Sequence, residues 1–244
     1  MSAFPLPSPL PCIGLIVPPA AGEVPHDAGF LYGDRIRFVA RGLGIGGVSP
    51  TGFAPVMDRI TRLACELRDE GAQTISLMGT SISFYQGPQL TEALRARLEA
   101  ATGLPCTTMS HAIVTSLRAL GARRIAVATS YIDELNQCLV RYLQHHAFEV
   151  SRIRGLSITG VQAMGEVPPD TLIELAAAVH AEDPQAEAVL ISCGGLQTRE
   201  VIEPLEARLG VPVIASSPSG FWDVVRQAGL DPRADAYGRL FRLS

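Results

Sequence analysis

Ala188-Val189-Leu190-Ile191-Ser192-Cys193-Gly194-Gly195 is the stretch on which the reading of the fold turns. A short apolar run, of the kind found in strands buried on both faces, leads into a thiol and then two glycines. Open parallel sheets place ligands at the C-terminal ends of their strands. The segment therefore reads as a strand that delivers Cys193 to a glycine turn at a site. The first half carries a matching segment, Thr74-Ile75-Ser76-Leu77-Met78-Gly79-Thr80-Ser81. The position equivalent to Cys193 is Gly79, which has no side chain. Such a site is pseudo-symmetric in backbone and asymmetric in chemistry: one thiol on one wall can protonate only one face of a bound carbanion.

Outward from these two segments, apolar strands alternate with amphipathic helices, the pattern of a parallel α/β sheet. Strands are expected near 13–17, 74–78, 105–109, 124–129, 149–154, 187–192 and 211–215. Helices are expected near 55–70, 88–101, 111–120, 132–146, 170–182, 197–208 and 219–228. In the first of these helices Ile60, Leu63, Ala64 and Leu67 share one face. The connection from Ala20 to Thr51 is long and rich in glycine, and within it Gly42 to Gly47 reads as a flexible loop, a candidate lid over the cleft. Gly103-Leu104-Pro105-Cys106-Thr107-Thr108-Met109-Ser110 parallels Gly210-Val211-Pro212-Val213-Ile214-Ala215-Ser216-Ser217, each opening on a glycine that caps a helix. The chain thus reads as a duplication. One lobe spans 1–118, with 217–244 packing back on it, and the second spans 119–216. The active site is expected in the cleft between them.

With 244 residues, 47% hydrophobic and only 18% charged, the chain can bury a substantial core and is not disordered. Its net charge of −4 gives no basic field for nucleic acid, and Arg35/Arg37 and Arg123-Arg124 read as solvated surface. Mean hydropathy is +0.23, yet no apolar run approaches the roughly 20 residues of a membrane span. The proline-rich start up to about Pro11 reads as a loose tail without the features of a signal peptide. Five cysteines without regular spacing suggest no disulfide framework, and no His/Cys cluster has metal spacing. The expectation is a cytoplasmic, reduced, metal-free protein, with a monomer favoured.

Among candidate site residues Cys193 leads, because a thiol that is merely core has no reason to stand last before two glycines. Cys12, Cys65, Cys106 and Cys138 read as structural. Gly79-Thr80-Ser81 sets two hydroxyls and free backbone N–H groups at a strand end, a cradle for a carboxylate or oxyanion; the alternative is simple N-capping by Thr80 or Ser81. Tyr131 follows Ala128-Thr129-Ser130 at another strand end, where its hydroxyl could donate to the same anion. Gly42-x-Gly44-x-x-Gly47 matches a dinucleotide fingerprint in letters. It lacks the context, because it does not open the first strand–helix unit and no acidic residue ends the next strand. His111 stands at a helix start, and His145-His146 end a helix, where they complement its dipole.

These residues carry a resemblance. Ile13 to Gly22, Ser76 to Tyr85, Thr107 to Ser110, Ser192 to Leu196, Ile158 to Met164 and Ser216 to Asp223 resemble the bacterial arylmalonate decarboxylase family. The match holds in order over nearly the whole chain after the tail. The wider group is the aspartate/glutamate racemase superfamily, which includes hydantoin racemase and maleate isomerase. Those relatives usually carry a cysteine in each lobe, whereas Gly79 stands here, as in the decarboxylase.

The resemblance implies a cofactor-free conversion of an α-aryl or alkenyl malonate to a chiral monoacid and CO2. It casts Cys193 as proton donor. Thr80, Ser81, Tyr131 and the backbone near Gly194 would hold the carboxylate that becomes an enediolate. Pro18, Ile45, Val48, Val161 and Met164 would line the pocket of the departing carboxylate, and Pro19 and Gly195 the aryl space. Phe53 replaces a tyrosine of the family's pocket wall, which implies an altered substrate range.

Two alternatives stand beside this reading. A racemase or isomerase of the same superfamily needs a second acid/base or thiol, which Gly79 removes. A non-catalytic carboxylate-binding protein would not account for a thiol at a strand end. A redox sensor would need a resolving cysteine that the sequence does not place.

Overall fold

A computed structural model describes residues 10–44 and 57–243. In chain order it contains β1 (Cys12–Val17), α1 (Asp27–Tyr32), β2 (Arg37–Gly42), α2 (Met57–Asp69), β3 (Thr74–Leu77), α3 (Thr80–Phe84) and α4 (Pro88–Thr102). These are followed by β4 (Cys106–Thr108), α5 (Met109–Ala119), β5 (Arg124–Thr129), α6 (Asp133–His145), β6 (Glu149–Gly155) and α7 (Val161–Gly165). The last elements are α8 (Pro169–Ala181), β7 (Ala188–Ser192), α9 (Ile202–Leu209), β8 (Val213–Ala215), α10 (Ser216–Gln227) and a 3-10 turn, Arg239–Arg242.

The strands form two four-stranded parallel sheets with orders β2-β1-β3-β4 and β6-β5-β7-β8. The two orders are the same once the second half is laid on the first, which is the duplication in three dimensions. β1, β3, β5 and β7 are central, and every residue of β1, β3 and β7 is buried. This is why β1 and β7 read as nearly unbroken apolar runs, whereas β3 buries Thr74 and Ser76 as well. Alternation still sorts the side chains of β1. Ile13, Leu15 and Val17 enter the core shared with the second sheet, while Ile16 joins the outer cluster of Leu63, Leu67 and Leu98 under α2 and α4.

Two elements correct the reading of Ala20 to Thr51 as a long connection without strand or helix, since it holds both α1 and β2. β2 is an edge strand of intermediate burial, in register with β1 from Cys12↔Arg37 to Val17↔Gly42. Gly42 ends it. A Cβ there would lie 2.3 Å from Pro19 O and 2.4 Å from Ala20 O, so only glycine lets this strand end approach the turn after β1. Gly44 has φ of +66°, and Gly47 lies outside the described residues.

α5 and α10 also begin earlier than periodicity suggested. They take up Met109 and Ser216-Ser217 directly from shortened strands β4 and β8, with Pro218 tolerated in the first turn of α10. α9 starts at Ile202, later than expected, because 194–201 is spent on the turn after β7.

α5 and α10 pack on one another between the sheets. α10 also reaches the first sheet: Thr107 Oγ1 on β4 donates to the buried Asp223 Oδ2 at 2.7 Å. The C-terminal segment ties to α1, with Tyr32 Oη donating to Pro232 O at 2.6 Å and Arg35 Nη2 to Arg233 O at 2.8 Å. Among the described residues no helix is long and apolar enough to cross a membrane.

Candidate active site

The C-terminal ends of β1, β3, β5 and β7 converge on a cavity of about 240 Å3 between the sheets. Cys193, Gly194 and Gly195 line it from the end of β7. Gly79, Thr80 and Ser81 line it from the end of β3, Pro18 and Pro19 from β1, Tyr131 from β5, and Val161 and Met164 from α7. The structure thus brings eleven of the site residues read from the sequence to one place. Ile45, Val48 and Phe53 lie outside the described residues.

The two strand ends meet closely. A Cβ on Gly194 would fall 3.8 Å from Met78 O and 3.0 Å from Met109 Sδ. On Gly79 the three atoms nearest the added Cβ would all belong to Ile82, with Cδ1 at 2.6 Å. Cys193 itself is buried. Its N–H donates to Ser216 Oγ at 3.1 Å, which fixes the backbone that carries the thiol, and its Sγ lies 3.3 Å from Met164 Sδ. Burial pushes the thiol up from its ordinary value, and the Ser130 hydroxyl, the N–H groups of Gly195 and Leu196 and the Tyr131 hydroxyl oppose that shift. The thiol is therefore protonated at neutral pH, the state of an acid rather than of a nucleophile.

Across the cavity, Gly79 is the N-cap of α3 and no side chain caps that helix, so Thr80 and Ser81 keep their hydroxyls for other partners. Thr80 Oγ1 donates to Met109 Sδ at 2.7 Å. Beneath them, Ser83 Oγ donates to Gly79 O and Ser110 Oγ to Thr80 O, each at 2.9 Å, and the two hydroxyls lie 2.6 Å apart. This network locks the Gly79–Ser81 turn to the start of α5, so the donors of the turn are held in place before any ligand arrives.

Tyr131 is 1% exposed and stacks edge-on against Phe84, with ring centroids 5.8 Å apart. Its Oη has no partner at hydrogen-bond geometry, although Ser192, Thr80 and Cys193 surround it. Burial holds this phenol well above the ordinary tyrosine range, so it is a donor and never an anion at working pH.

All 20 cationic residues are arginines, and none lines the cavity. An anion here would meet hydroxyls and backbone N–H groups in largely apolar surroundings. Such neutral donors can follow charge as it moves between oxygens without pinning the starting carboxylate in an ion pair.

Several lining residues were not singled out from the sequence. Met109 and Ser217 stand in the two duplicated strand-end segments, which was the signal that could have found them. Glu23, Val24, Pro25 and His26 form the rim on the segment leading into α1, and nothing in their pattern marks them. His111 is not in the cavity. Its N–H is capped by Thr108 Oγ1 at 3.2 Å and its Nδ1 lies 3.5 Å from Glu92. Cys12, Cys65, Cys106 and Cys138 lie elsewhere, and burial holds Cys106 at about 11. Among the described residues no group of three His, Cys, Asp or Glu could hold a metal ion.

The family model for arylmalonate decarboxylase matches residues 13–241. An arylmalonate decarboxylase from Bordetella bronchiseptica is 49% identical over 232 residues, 95% of this chain and 96% of that protein. A maleate isomerase from Nocardia farcinica is 27% identical, over 94% of this chain and 95% of its own. Among solved structures, a liganded arylmalonate decarboxylase with one glycine exchanged for cysteine and one cysteine for serine superposes with a TM-score of 0.94. It is 48% identical and covers 96% of this chain and 100% of its own.

Proposed function

Given that the chain belongs to the arylmalonate decarboxylase family and is a carboxy-lyase, we propose that it turns an α-aryl or α-alkenyl malonate into one enantiomer of a monocarboxylic acid, releasing CO2 without metal or cofactor. The observation that carries this reading is that a buried thiol, Cys193, and a bare glycine, Gly79, stand at equivalent strand ends and line one cavity that no arginine lines. On this reading Thr80, Ser81, Tyr131 and the N–H groups near Gly194 hold one carboxylate. The other sits against Pro18, Val161 and Met164, where it is poorly hydrated, and loss of CO2 removes that buried charge. Ile45 and Val48 complete this wall in the proposal, and Pro19 and Gly195 shape the aryl space with Phe53 in its wall.

The electron pair of the breaking C–C bond passes into the carboxylate that stays and makes it an enediolate, whose added charge the waiting donors stabilise. Cys193 then gives its proton to the α-carbon. The C–H bond forms, the S–H bond breaks, and water later returns a proton to Sγ. The same reading takes the enzyme to be a monomer acting on a small dicarboxylate in the cytoplasm, a reducing compartment with which five free cysteines agree. It divides the chain into a lobe of 1–118 with 217–244 and a lobe of 119–216, supported by the packing of α10 on β3 and β4.

The purified protein is expected to release CO2 from phenylmalonate, and dialysis against EDTA is expected to leave the rate unchanged. No CO2 release overturns the proposed substrate class, and loss of activity restored by a divalent ion overturns the cofactor-free mechanism. A second prediction concerns the bare wall. Gly79→Cys sets a thiol opposite Cys193 and requires the buried Ile82, whose Cδ1 lies 2.6 Å from the new Cβ, to shift. The variant is expected to exchange the α-proton of an α-aryl propionate with D2O and racemise it slowly. A folded Gly79→Cys protein that never incorporates deuterium, alone or with Ile82→Val, contradicts the facing geometry.

A further inference from the structure

A further hydroxyl, that of Ser130, stands beside the thiol. Thr129 on β5 is register-paired with Ser192 on β7, so one step further along both strands sets Ser130 level with Cys193. Register-paired residues of neighbouring parallel strands present their side chains on the same face. Ser130 is fully buried, and its Oγ has no hydrogen-bond partner at proper geometry. A buried hydroxyl in a folded protein is normally satisfied, so an orphan beside a reactive group points to a partner that exists only during the reaction. In the resting state Cys193 Sγ faces Met164 Sδ, a weak acceptor, and offers Ser130 little.

The situation changes once Sγ has handed over its proton. A thiolate is a strong acceptor in a buried site that no arginine lines, so every donor in reach counts. We propose that Ser130 is a positioning residue for Cys193, whose hydroxyl turns to donate to Sγ as the thiol becomes thiolate, making Cys193 a stronger acid at the moment of proton transfer. The proposal rests on the reading of Cys193 as proton donor. Its balance is simple. The S–H bond breaks and the C–H bond forms, the electron pair stays on Sγ and is held by the Ser130 O–H, and a proton from water restores the thiol after product leaves. Ser130 heads the groups that oppose the effect of burial on this thiol, ahead of the N–H groups of Gly195 and Leu196 and the hydroxyl of Tyr131. The other ionisable groups lining the cavity are Tyr131, from the end of β5, and Glu23 and His26, from the rim before α1.

The test uses the full chain with Ser130→Ala and Ser130→Thr. Two readouts are taken: steady-state kinetics on phenylmalonate, and the pH dependence of Cys193 alkylation by iodoacetamide, followed on the Cys193 peptide by mass spectrometry. Ser130→Ala removes an unpaired buried hydroxyl, so its thermal stability is expected to match or exceed that of the parent. Its kcat is expected to fall about tenfold with KM within about twofold, and its alkylation midpoint to rise by about one pH unit, the shift equivalent to a tenfold change. Ser130→Thr keeps the donor and is expected to restore both. An unchanged alkylation midpoint in Ser130→Ala, or a Thr variant that behaves like the Ala one, overturns the proposal. Failure of the underlying mechanism is distinguishable: Cys193→Ala would then keep its decarboxylase activity, whatever Ser130 does to the thiol.

Discussion

Cys193→Ala and Cys193→Ser are expected to lower kcat for decarboxylation by about 10³-fold, within the range of 10²–10⁴ typical for loss of a general acid. Both changes are small for the fold. Sγ lies in a cavity wall, 3.3 Å from Met164 Sδ, and the bond that fixes the strand end, Cys193 N–H to Ser216 Oγ, is made by backbone. Circular dichroism and Tm should therefore stay near those of the parent. Serine makes the sharper test, because it keeps a hydroxyl where the thiol stood yet is a much weaker acid than a thiol, so proton transfer from it is slower. Turnover within about threefold of the parent in either variant would take Cys193 out of the mechanism. If instead CO2 is still released while product loses its optical purity, Cys193 acts on the protonation step alone and water has taken over the delivery of the proton.

How much of this was legible in the sequence follows from how each element is buried. β7 announced itself because both faces are covered and Ala188 to Ile191 are all apolar, β3 stood out by its likeness to it although Thr74 and Ser76 are polar, and the glycine turn after β7 marked where the backbone must open to a ligand. β2 was hidden by the opposite circumstance. It pairs with β1 alone, is only half-buried, and carries Arg37 and Arg41 beside Phe38 and Val39, so neither an apolar run nor clean alternation stands out. The duplication held the missing clue: β6, expected at 149–154, has no counterpart in the first half unless a strand follows β1.

The same contrast holds at the site. Cys193, Gly79, Thr80 and Ser81 stand at the ends of readable strands and could be found by position. Glu23 and His26 reach the cavity because Gly42 lets β2 close against the Pro19 turn, a tertiary approach with no local signature. Ser130 went unread because a serine at a strand end is ordinary until the register of β5 on β7 is known.

Thr80→Ala and Ser81→Ala are each expected to lower kcat by 10²–10³-fold, the usual cost of about 2.7–4 kcal/mol for losing one oxyanion donor, with a smaller change in KM. Both residues follow Gly79 on a turn whose carbonyls are already held by Ser83 and Ser110, so their hydroxyls need no reorganisation of the backbone to meet a charge. They differ in what they do at rest. Thr80 Oγ1 donates to Met109 Sδ and must leave that soft acceptor to serve an oxyanion, whereas Ser81 lines the cavity from a helix it does not cap. The exchange of a thioether for an enediolate oxygen is worth most when the oxygen carries most charge, that is, after CO2 has begun to leave. A donor of that kind acts on the transition state and appears in kcat; one that merely anchors the malonate acts equally before and after and appears in KM. A rise in KM of tenfold or more, about 1.4 kcal/mol, with kcat intact would make Thr80 and Ser81 anchors of the substrate and assign the enediolate to Tyr131 and the backbone near Gly194.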